Sequence, residues 1–351
     1  MRVLALPSDN SGCGFYRIRQ PAQILTTLDT GISVRIESGV NGFQNPAGDL
    51  VGIEDDFLGY DVVVVQRPMV KWQMQLIRLL QQAGSAVVVE IDDDFESLHK
   101  DNTALRTVTP TNKAILKQCA EIADLVTVTT QPLAERYARH GRYVVLPNYV
   151  NASLLDLDLD TEADSDLPPV VGWSGTVATH PNDLQATMGG VGSAVDATGA
   201  RFRVIGRPEL VAQNLRLLSL LELVRWVPID QYPYELAKLD VGIAPLANTP
   251  FNRAKSWLKP LEMAAVGVPV VMSDVGEYRA LAAAGLGILA SSGLDWYESV
   301  RDLLKDSQFR AEQAQLGRQA VREYFLIEAN AWKWVDAWTE AMATRHTTKA
   351  A

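Results

Sequence analysis

Hydrophobic and polar positions along this chain fall into two alternating kinds of block. Short runs of β-forming residues, mostly Val, Ile and Leu, at Val3–Leu6, Ile32–Ile36, Asp61–Val65, Ala86–Ile91, Leu125–Thr129 and Tyr143–Leu146, are separated by stretches with helical spacing near 20–29, 70–83, 111–122 and 131–139. Apolar runs without polar alternation belong to strands buried on both faces, and helices between them imply a parallel, doubly wound sheet. The alternation resumes at Val170–Thr176, Phe202–Arg207, Leu239–Leu246, Val268–Ser273 and Leu286–Leu289, with helical stretches at 276–283, 294–305, 307–323 and 328–343. Trp332, Val335 and Trp338 make an apolar stripe on the last of these that needs a partner. In such sheets ligands bind beyond the carboxyl ends of the strands, so the loops that follow them are where chemistry is expected.

Composition narrows the class. A length of 351 residues suggests about two domains, and 47% hydrophobic with 21% charged residues is the balance of a globular protein in water. No run approaches the ~18 apolar residues of a membrane span, and MRVLALPSDN reads as a first strand rather than a secretory leader. Cys13 and Cys119 show no metal-ligand spacing, which points to packing roles, a reducing compartment and a cytoplasmic location. The net charge of −10 argues against nucleic acid and anionic lipid as general partners.

The densest chemistry lies in Pro250–Asp274, PFNRAKSWLKPLEMAAVGVPVVMSD. Asn252 and Ser256 are helix-starting types, Leu258, Leu261, Ala264 and Ala265 recur at helical spacing, and Gly267 stops the helix ahead of a buried strand. On a helix Lys255, Lys259 and Glu262 share one face. Two lysines a turn apart repel, and cations near a helix N-terminus oppose its dipole by about 0.3–1 kcal/mol. An anion held there removes both penalties. That predicts a diphosphate site with Glu262 accepting from a sugar hydroxyl; the alternative is a solvated basic face with a Lys259–Glu262 pair. Pro260 belongs in a first turn or marks a kink, and in the first case Lys255 lies on the preceding loop.

Other candidates sit after other strands. Ser8–Arg19 has two glycines but not the G-x-G-x-x-G spacing, which makes a nicotinamide-dependent enzyme a weak alternative; Tyr16, Arg17 and Arg19 follow it, the arginines either facing the cleft or lying on an exposed helix start. Glu90–Glu96 crowds acids at a strand end, where Asp92, Asp93 and Asp94 suit sugar hydroxyls or a solvated turn, with a metal the lesser choice. Gly175 and Thr176 end another strand, His180 follows, and Arg207 ends the next, where a guanidinium could hold phosphate in two-point fashion.

Taken together these segments resemble the retaining family 4 glycosyltransferases of the GT-B fold. The pattern is Glu, seven residues, Glu, then Ala-x-Ala-x-Gly-x-Pro-Val-Val: Glu262 matches the second Glu, Ala264–Val271 resembles the rest, and the first Glu is replaced by Ala254. Leu146–Asn151 resembles the Pro-Asn-Gly-Val-Asp signature that ends the first domain, with Tyr149 for glycine, and Leu239–Leu246 resembles the Ala-Asp-Val-x-Val-x-Pro-Ser strand and loop.

The resemblance implies two Rossmann-like domains facing a central cleft. The expected boundaries are an acceptor domain over 1–152, a linker over 153–169, a nucleotide-sugar domain over 170–325, a crossover helix over 326–344 returning to the first domain, and a disordered tail over 345–351. It implies donor contacts from Gly14, Gly175, Thr176, His180, Arg207, Ile229, Pro245, Asn248, Asn252, Lys255, Ser256, Lys259 and Glu262, acceptor contacts from Tyr16, Arg17, Arg19, Asp92 and Asp94, and catalytic roles for Lys255, Arg207 and Asp93. The activity implied is hexose transfer from a UDP- or GDP-linked sugar to an acceptor hydroxyl, on a protein or soluble glycan, with no metal and no cofactor beyond the nucleotide sugar. An inverting transferase or nucleotide-sugar epimerase of the same fold, and a non-catalytic sugar-binding protein, are the alternatives.

Overall fold

A computed structural model of the chain describes residues 1–28, 31–157 and 167–350. It divides into two compact units, one of Met1–Ser97, Arg106–Asn148 and Ile327–Ala351, the other of Leu98–Leu105 and Tyr149–Leu326. The expected linker 153–169 begins in a short 3-10 helix, Ala152–Asp156, and its central residues 158–166 lie outside the described residues.

The first unit holds β1 (Arg2–Leu6), β2 (Ser33–Ile36), β3 (Gly42–Gln44), β4 (Leu50–Ile53), β5 (Val62–Gln66), β6 (Ala86–Ile91), β7 (Leu125–Val128) and β8 (Tyr143–Val145). Six of them form a parallel sheet in the order β2-β1-β5-β6-β7-β8, and β3 pairs with β4 as a separate antiparallel hairpin. Every residue of β5 and of β6 is buried, as unbroken Val runs require of central strands. The strand order reverses between β1 and β5, which makes the loops after these strands the unit's ligand-facing crevice by topology.

One buried ion pair organises this unit. Arg17 Nε donates to Glu90 Oε1 at 2.7 Å and Nη2 to Oε2 at 3.2 Å, while Nη1 donates to the Leu146 carbonyl at 2.6 Å and to Asn148 Oδ1 at 3.0 Å. Thr127 Oγ1 donates to the same carboxylate. Burial pushes the Glu90 carboxyl up, and the Arg17 charge acts in the opposite direction. The Arg17 carbonyl accepts from Trp334 Nε1 at 3.2 Å, and the guanidinium lies 5.4 Å from the Trp334 ring centre. The acceptor role expected for Arg17 is therefore corrected. Residues Phe15–Arg19 are wound as a π-helix, and the side chain of Arg17 points into the interior, 1% exposed, instead of onto a surface.

The chain ends in the helices Ile327–Asn330 and Trp332–Ala350, the latter packed against β5, β6 and β7. Trp334, Trp338 and Ala341 are its buried face. A disordered tail from 345 was expected; the helix instead continues to Ala350. Arg345 donates to the Gln81 carbonyl near the end of helix Lys71–Ala83 and sits 3.7 Å from Asp124, so a cation meets a helix C-terminus and a carboxylate together.

The second unit contains β9 (Val170–Gly175), β10 (Arg201–Gly206), β11 (Leu221–Val224), β12 (Val241–Ala244), β13 (Val270–Ser273) and β14 (Ile288–Ala290). They form a parallel sheet in the order β11-β10-β9-β12-β13-β14, a doubly wound Rossmann order whose reversal falls between β9 and β12. Trp173, Phe202 and Trp296 are its largest buried aromatics. The segment Leu98–Leu105 joins this unit through Thr103, whose amide donates to Ala178 at 2.9 Å, and Asn102, whose side chain donates to Thr179 at 2.9 Å.

Arg17→Met leaves the Glu90 carboxylate buried without its partner. The expected loss is about 3–5 kcal/mol of unfolding free energy in urea titrations; a loss below about 1 kcal/mol, the scale of an exposed pair, would show that this pair does not organise the unit.

Candidate functional site

The C-terminal ends of β9 and β12 bring one set of side chains together. Gly175 closes β9 at φ +148, where a Cβ would stand 3.0 Å from the Trp173 ring and 3.1 Å from Lys259 Nζ, so glycine is what lets the lysine approach. Lys259 Nζ also lies 5.7 Å from the Trp173 ring centre. It is the second residue of helix Leu258–Ala265, whose N-cap position, Trp257, supplies no side-chain cap. Lys255 precedes that helix on the loop after a short turn of helix, Pro250–Arg253, and its ammonium lies 4.4 Å from the Phe251 ring centre. The helix begins late enough for Pro260 to sit in its first turn, and Lys255 is on the loop of the two placements open to it.

Asn252 does not start a helix with its side chain, since Thr249 caps that turn. Its Nδ2 donates to Asp183 Oδ1 at 2.6 Å and to the Ala247 carbonyl at 2.9 Å, and the Ala247 amide donates to the same Asp183 oxygen at 3.0 Å. These bonds tie the loop after β9 to the loop after β12. The second oxygen of Asp183 lies 3.3 Å from His180 Nδ1, a buried atom whose angles to it fall outside hydrogen-bond geometry. Burial and the charges of Lys259 and Lys255 lower the His180 pKa to about 4, against the pull of Asp183. The imidazole is therefore neutral at physiological pH and close enough to both lysines to feel them.

Glu262 is buried, 5% exposed, a turn deeper on the same helix. Tyr232 donates from its hydroxyl to Ser174 Oγ at 2.8 Å; burial first, and the Glu262 charge second, hold this phenol well above its usual range. Burial likewise raises Tyr278, helped by Asp183 and Glu262. Ser256 Oγ is buried with no hydrogen-bond partner among the described residues. Thr176 Oγ1 accepts from the Ala178 amide at 3.3 Å. Pro245 is buried and Ile229 half-buried.

Two expected donor residues lie differently. Arg207 has an exposed side chain, and its amide, not its guanidinium, meets the end of β9 by donating to Gly175 at 3.1 Å. Asn248 is exposed and accepts from Arg253 at 2.7 Å.

In the first unit the acidic run is neutralised by an arginine that sequence reasoning passed over. Arg67, directly after β5, has a left-handed backbone, φ 48. It chelates Asp92, also reaches Asp93 at 3.3 Å, and places Nη2 3.1 Å from Cys13 Sγ. Burial disfavours its charge, but Asp92 and Asp93 more than compensate and its pKa rises. Asp94 is buried and pairs with Arg136 at 3.3 Å, and Tyr16 is buried, so both expected acceptor contacts face the interior. Arg19 donates to Asn10. Gly14 sits where a Cβ would fall 2.0 Å from the Asp9 carbonyl oxygen, and its amide donates to Asp9 Oδ1 at 3.1 Å; its smallness serves the loop's own turn.

Residues 168–306 match the family model described as Glycosyl transferases group 1. The matched residues all lie within the second unit. The site built above lies inside the matched residues, and the activity class expected from the sequence is supported by this match. Among curated proteins none matches the chain. Solved structures share the fold across both units. Sucrose-phosphate synthase from Thermosynechococcus elongatus is 16% identical, with a TM-score of 0.65 over 97% of this chain and 99% of that one. Anabaena HepE in complex with UDP is 14% identical, with a TM-score of 0.65 over 97% of this chain and 100% of that one. A glycosyltransferase from Rickettsia africae is 12% identical, with a TM-score of 0.65 over 97% and 98%. The fold is therefore GT-B, two Rossmann-like parallel-sheet units. No helix among the described residues is long and apolar enough to cross a membrane.

The depressed pKa of His180 has a consequence for the stability of the second unit. Unfolding releases an imidazole that binds a proton below about pH 6.5, whereas the folded one stays neutral to about pH 4. Stability therefore falls as pH drops through that window, by up to ~3 kcal/mol at about 1.4 kcal/mol per pH unit. His180→Asn should flatten this part of the pH–stability profile in urea titrations; an unchanged slope would contradict the assignment.

Proposed function

We propose that the chain transfers a hexose from a nucleotide diphosphate sugar to an acceptor hydroxyl with retention of configuration, without metal or further cofactor, in the cytoplasm. The observation that carries this reading is the convergence of Lys255, Lys259 and His180 on the end of β9, with the Glu262 carboxylate buried one turn further along the helix. The lysines and the Gly175–Thr176 turn supply positive charge for a diphosphate, and Glu262, beside Tyr232 and Ser174, supplies an acceptor for a ribose hydroxyl. UDP is favoured as the nucleotide, because HepE, of the same fold, is described in complex with it.

Catalysis in this reading is stabilisation of a leaving group. As the bond between anomeric carbon and phosphate oxygen breaks, negative charge grows on the diphosphate, where the ammoniums already stand. The departing phosphate oxygen takes the proton of the acceptor hydroxyl, so no protein nucleophile is needed. Arg207, exposed beside the same strand end, is proposed to swing onto the diphosphate when donor binds. The carboxylates of Asp92 and Asp93 are engaged by Arg67, which suits orienting an acceptor better than deprotonating one and weighs against an inverting mechanism with Asp93 as base. The acceptor, proposed to be a protein or soluble glycan, is assigned to the first unit, with Arg19, Asp92 and Asp93 as its contacts.

Ala254 keeps a non-catalytic sugar-binding reading in play: it stands, buried, where the resembling family has its first glutamate. Turnover separates the two. Lys255→Ala and Lys259→Ala should each lower kcat/KM for UDP-sugar about 10²–10³-fold, the cost of losing a group aimed at developing charge, with melting temperature preserved. Wild-type protein that binds UDP-sugar yet releases no UDP with any acceptor would favour the binding protein. For affinity itself, UDP at a hundredfold its Kd should stabilise the wild type by about 2.7 kcal/mol, and Glu262→Gln should reduce that shift.

A further inference from the structure

His180 is an unusual group to place beside two ammoniums. Its imidazole is enclosed, 18% exposed, and a buried carboxylate oxygen of Asp183 stands 3.3 Å from Nδ1. That carboxylate is itself fixed by Asn252 and the Ala247 amide, so it cannot turn away. The negative carboxylate 3.3 Å from Nδ1, although not aligned as a hydrogen bond, favours the ring proton on that nitrogen and leaves Nε2 with its lone pair. Asp183 lies on the same loop, Lys255 on the loop before helix Leu258–Ala265, and Lys259 on that helix; Tyr278 and Glu262 stand beyond, with Tyr278 near both Asp183 and Glu262. The lysines are what disfavours a second proton electrostatically, and Asp183 is what favours it. An anion bound by the lysines removes the first influence and leaves the second.

We infer that donor binding is coupled to proton uptake at His180: when the diphosphate engages Lys255 and Lys259, Nε2 takes a proton from solvent and the resulting imidazolium, backed by Asp183, becomes a third cation on the leaving group. This rests on the reading of the same residues as the diphosphate site. It goes further by making His180 a catalytic residue whose charge exists only in the complex, and Asp183 its positioning residue. The protonation is balanced, with one proton moving from buffer to Nε2 and no bond in the donor changing. Between turnovers the imidazole returns its proton as the nucleotide leaves. A site built in this way avoids three permanent positive charges in the empty enzyme, where they would repel one another, and still presents three to the transition state.

The test is calorimetric titration of the full-length protein with UDP-glucose, at pH 5.5 to 7, in buffers of differing ionisation enthalpy. The intact diphosphate diester does not titrate in this range, so any proton linkage belongs to the protein. Expected is an uptake that is a substantial fraction of one proton, largest toward the acid end, and abolished in His180→Asn with binding retained at reduced affinity. Asp183→Asn should shift the uptake to lower pH, an effect that loss of a loop tie alone would not produce. In activity, the fall of kcat on the alkaline side, where the complex gives up the His180 proton, should disappear in His180→Asn. UDP-glucose binding with no buffer dependence, or uptake that persists in His180→Asn, overturns the inference while leaving the diphosphate site intact. A protein that binds neither UDP-glucose nor GDP-mannose overturns the diphosphate reading, and the inference with it.

Discussion

Like charges placed side by side need a reason, and at the end of β9 the reason is local. The charges of Lys255 and Lys259 both act on the His180 imidazole, one ammonium lying beside the Phe251 ring and the other beside that of Trp173. An aromatic face returns about 0.5–2 kcal/mol to a cation, enough to hold an ammonium in place but less than a phosphate oxygen would give in the same position. Everything nearby serves that arrangement. Gly175 clears the space Lys259 enters, and the late start of helix Leu258–Ala265 aims its first turn toward it. The Asp183–Asn252 bonds keep the loops of β9 and β12 in register around it.

The sheet explains why this place and no other. A doubly wound order that reverses between β9 and β12 sends the following helices to opposite faces and opens a crevice at the strand ends. The loops leaving those two strands carry His180 and Asp183 on one side, Asn252 and Lys255 on the other. The first unit has the same reversal, between β1 and β5, but fills it differently, with Arg67 clamping the acids that follow β6. One fold principle thus yields a strand end with two lysines and an imidazole in the second unit and an arginine-clamped acidic run in the first.

The central strands of both sheets were legible because they are short runs rich in aliphatic residues, whereas the edge strand β11, Leu221–Val224, broken by Glu222, was not among those expected. The hairpin β3–β4 escaped notice since its residues, Gly42–Gln44 and Leu50–Ile53, are few and largely solvent-facing. Lys255, Lys259 and Glu262 could be grouped from spacing alone, since their neighbours along the chain are also neighbours in space. Arg17 could not be read correctly. Whether an arginine after a glycine turn faces out or in depends on Glu90, Leu146 and Asn148, all far along the chain, and on a π-helical turn that no local pattern announces. The same holds for Arg67, whose partners sit 25 residues away, and for Asp183, whose importance lies in bonds to Ala247 and Asn252. Long-range polar pairing is what a single sequence conceals.

Central to this account is a nucleotide diphosphate lodged between the end of β9 and the start of helix Leu258–Ala265, and a crystal structure of the protein soaked with UDP examines it most directly. The expected density places diphosphate oxygens within about 2.7–3.2 Å of Lys255 and Lys259 Nζ and ribose hydroxyls at the same range from Glu262. Nucleotide bound elsewhere, with both ammoniums turned to solvent and Glu262 untouched, would contradict it.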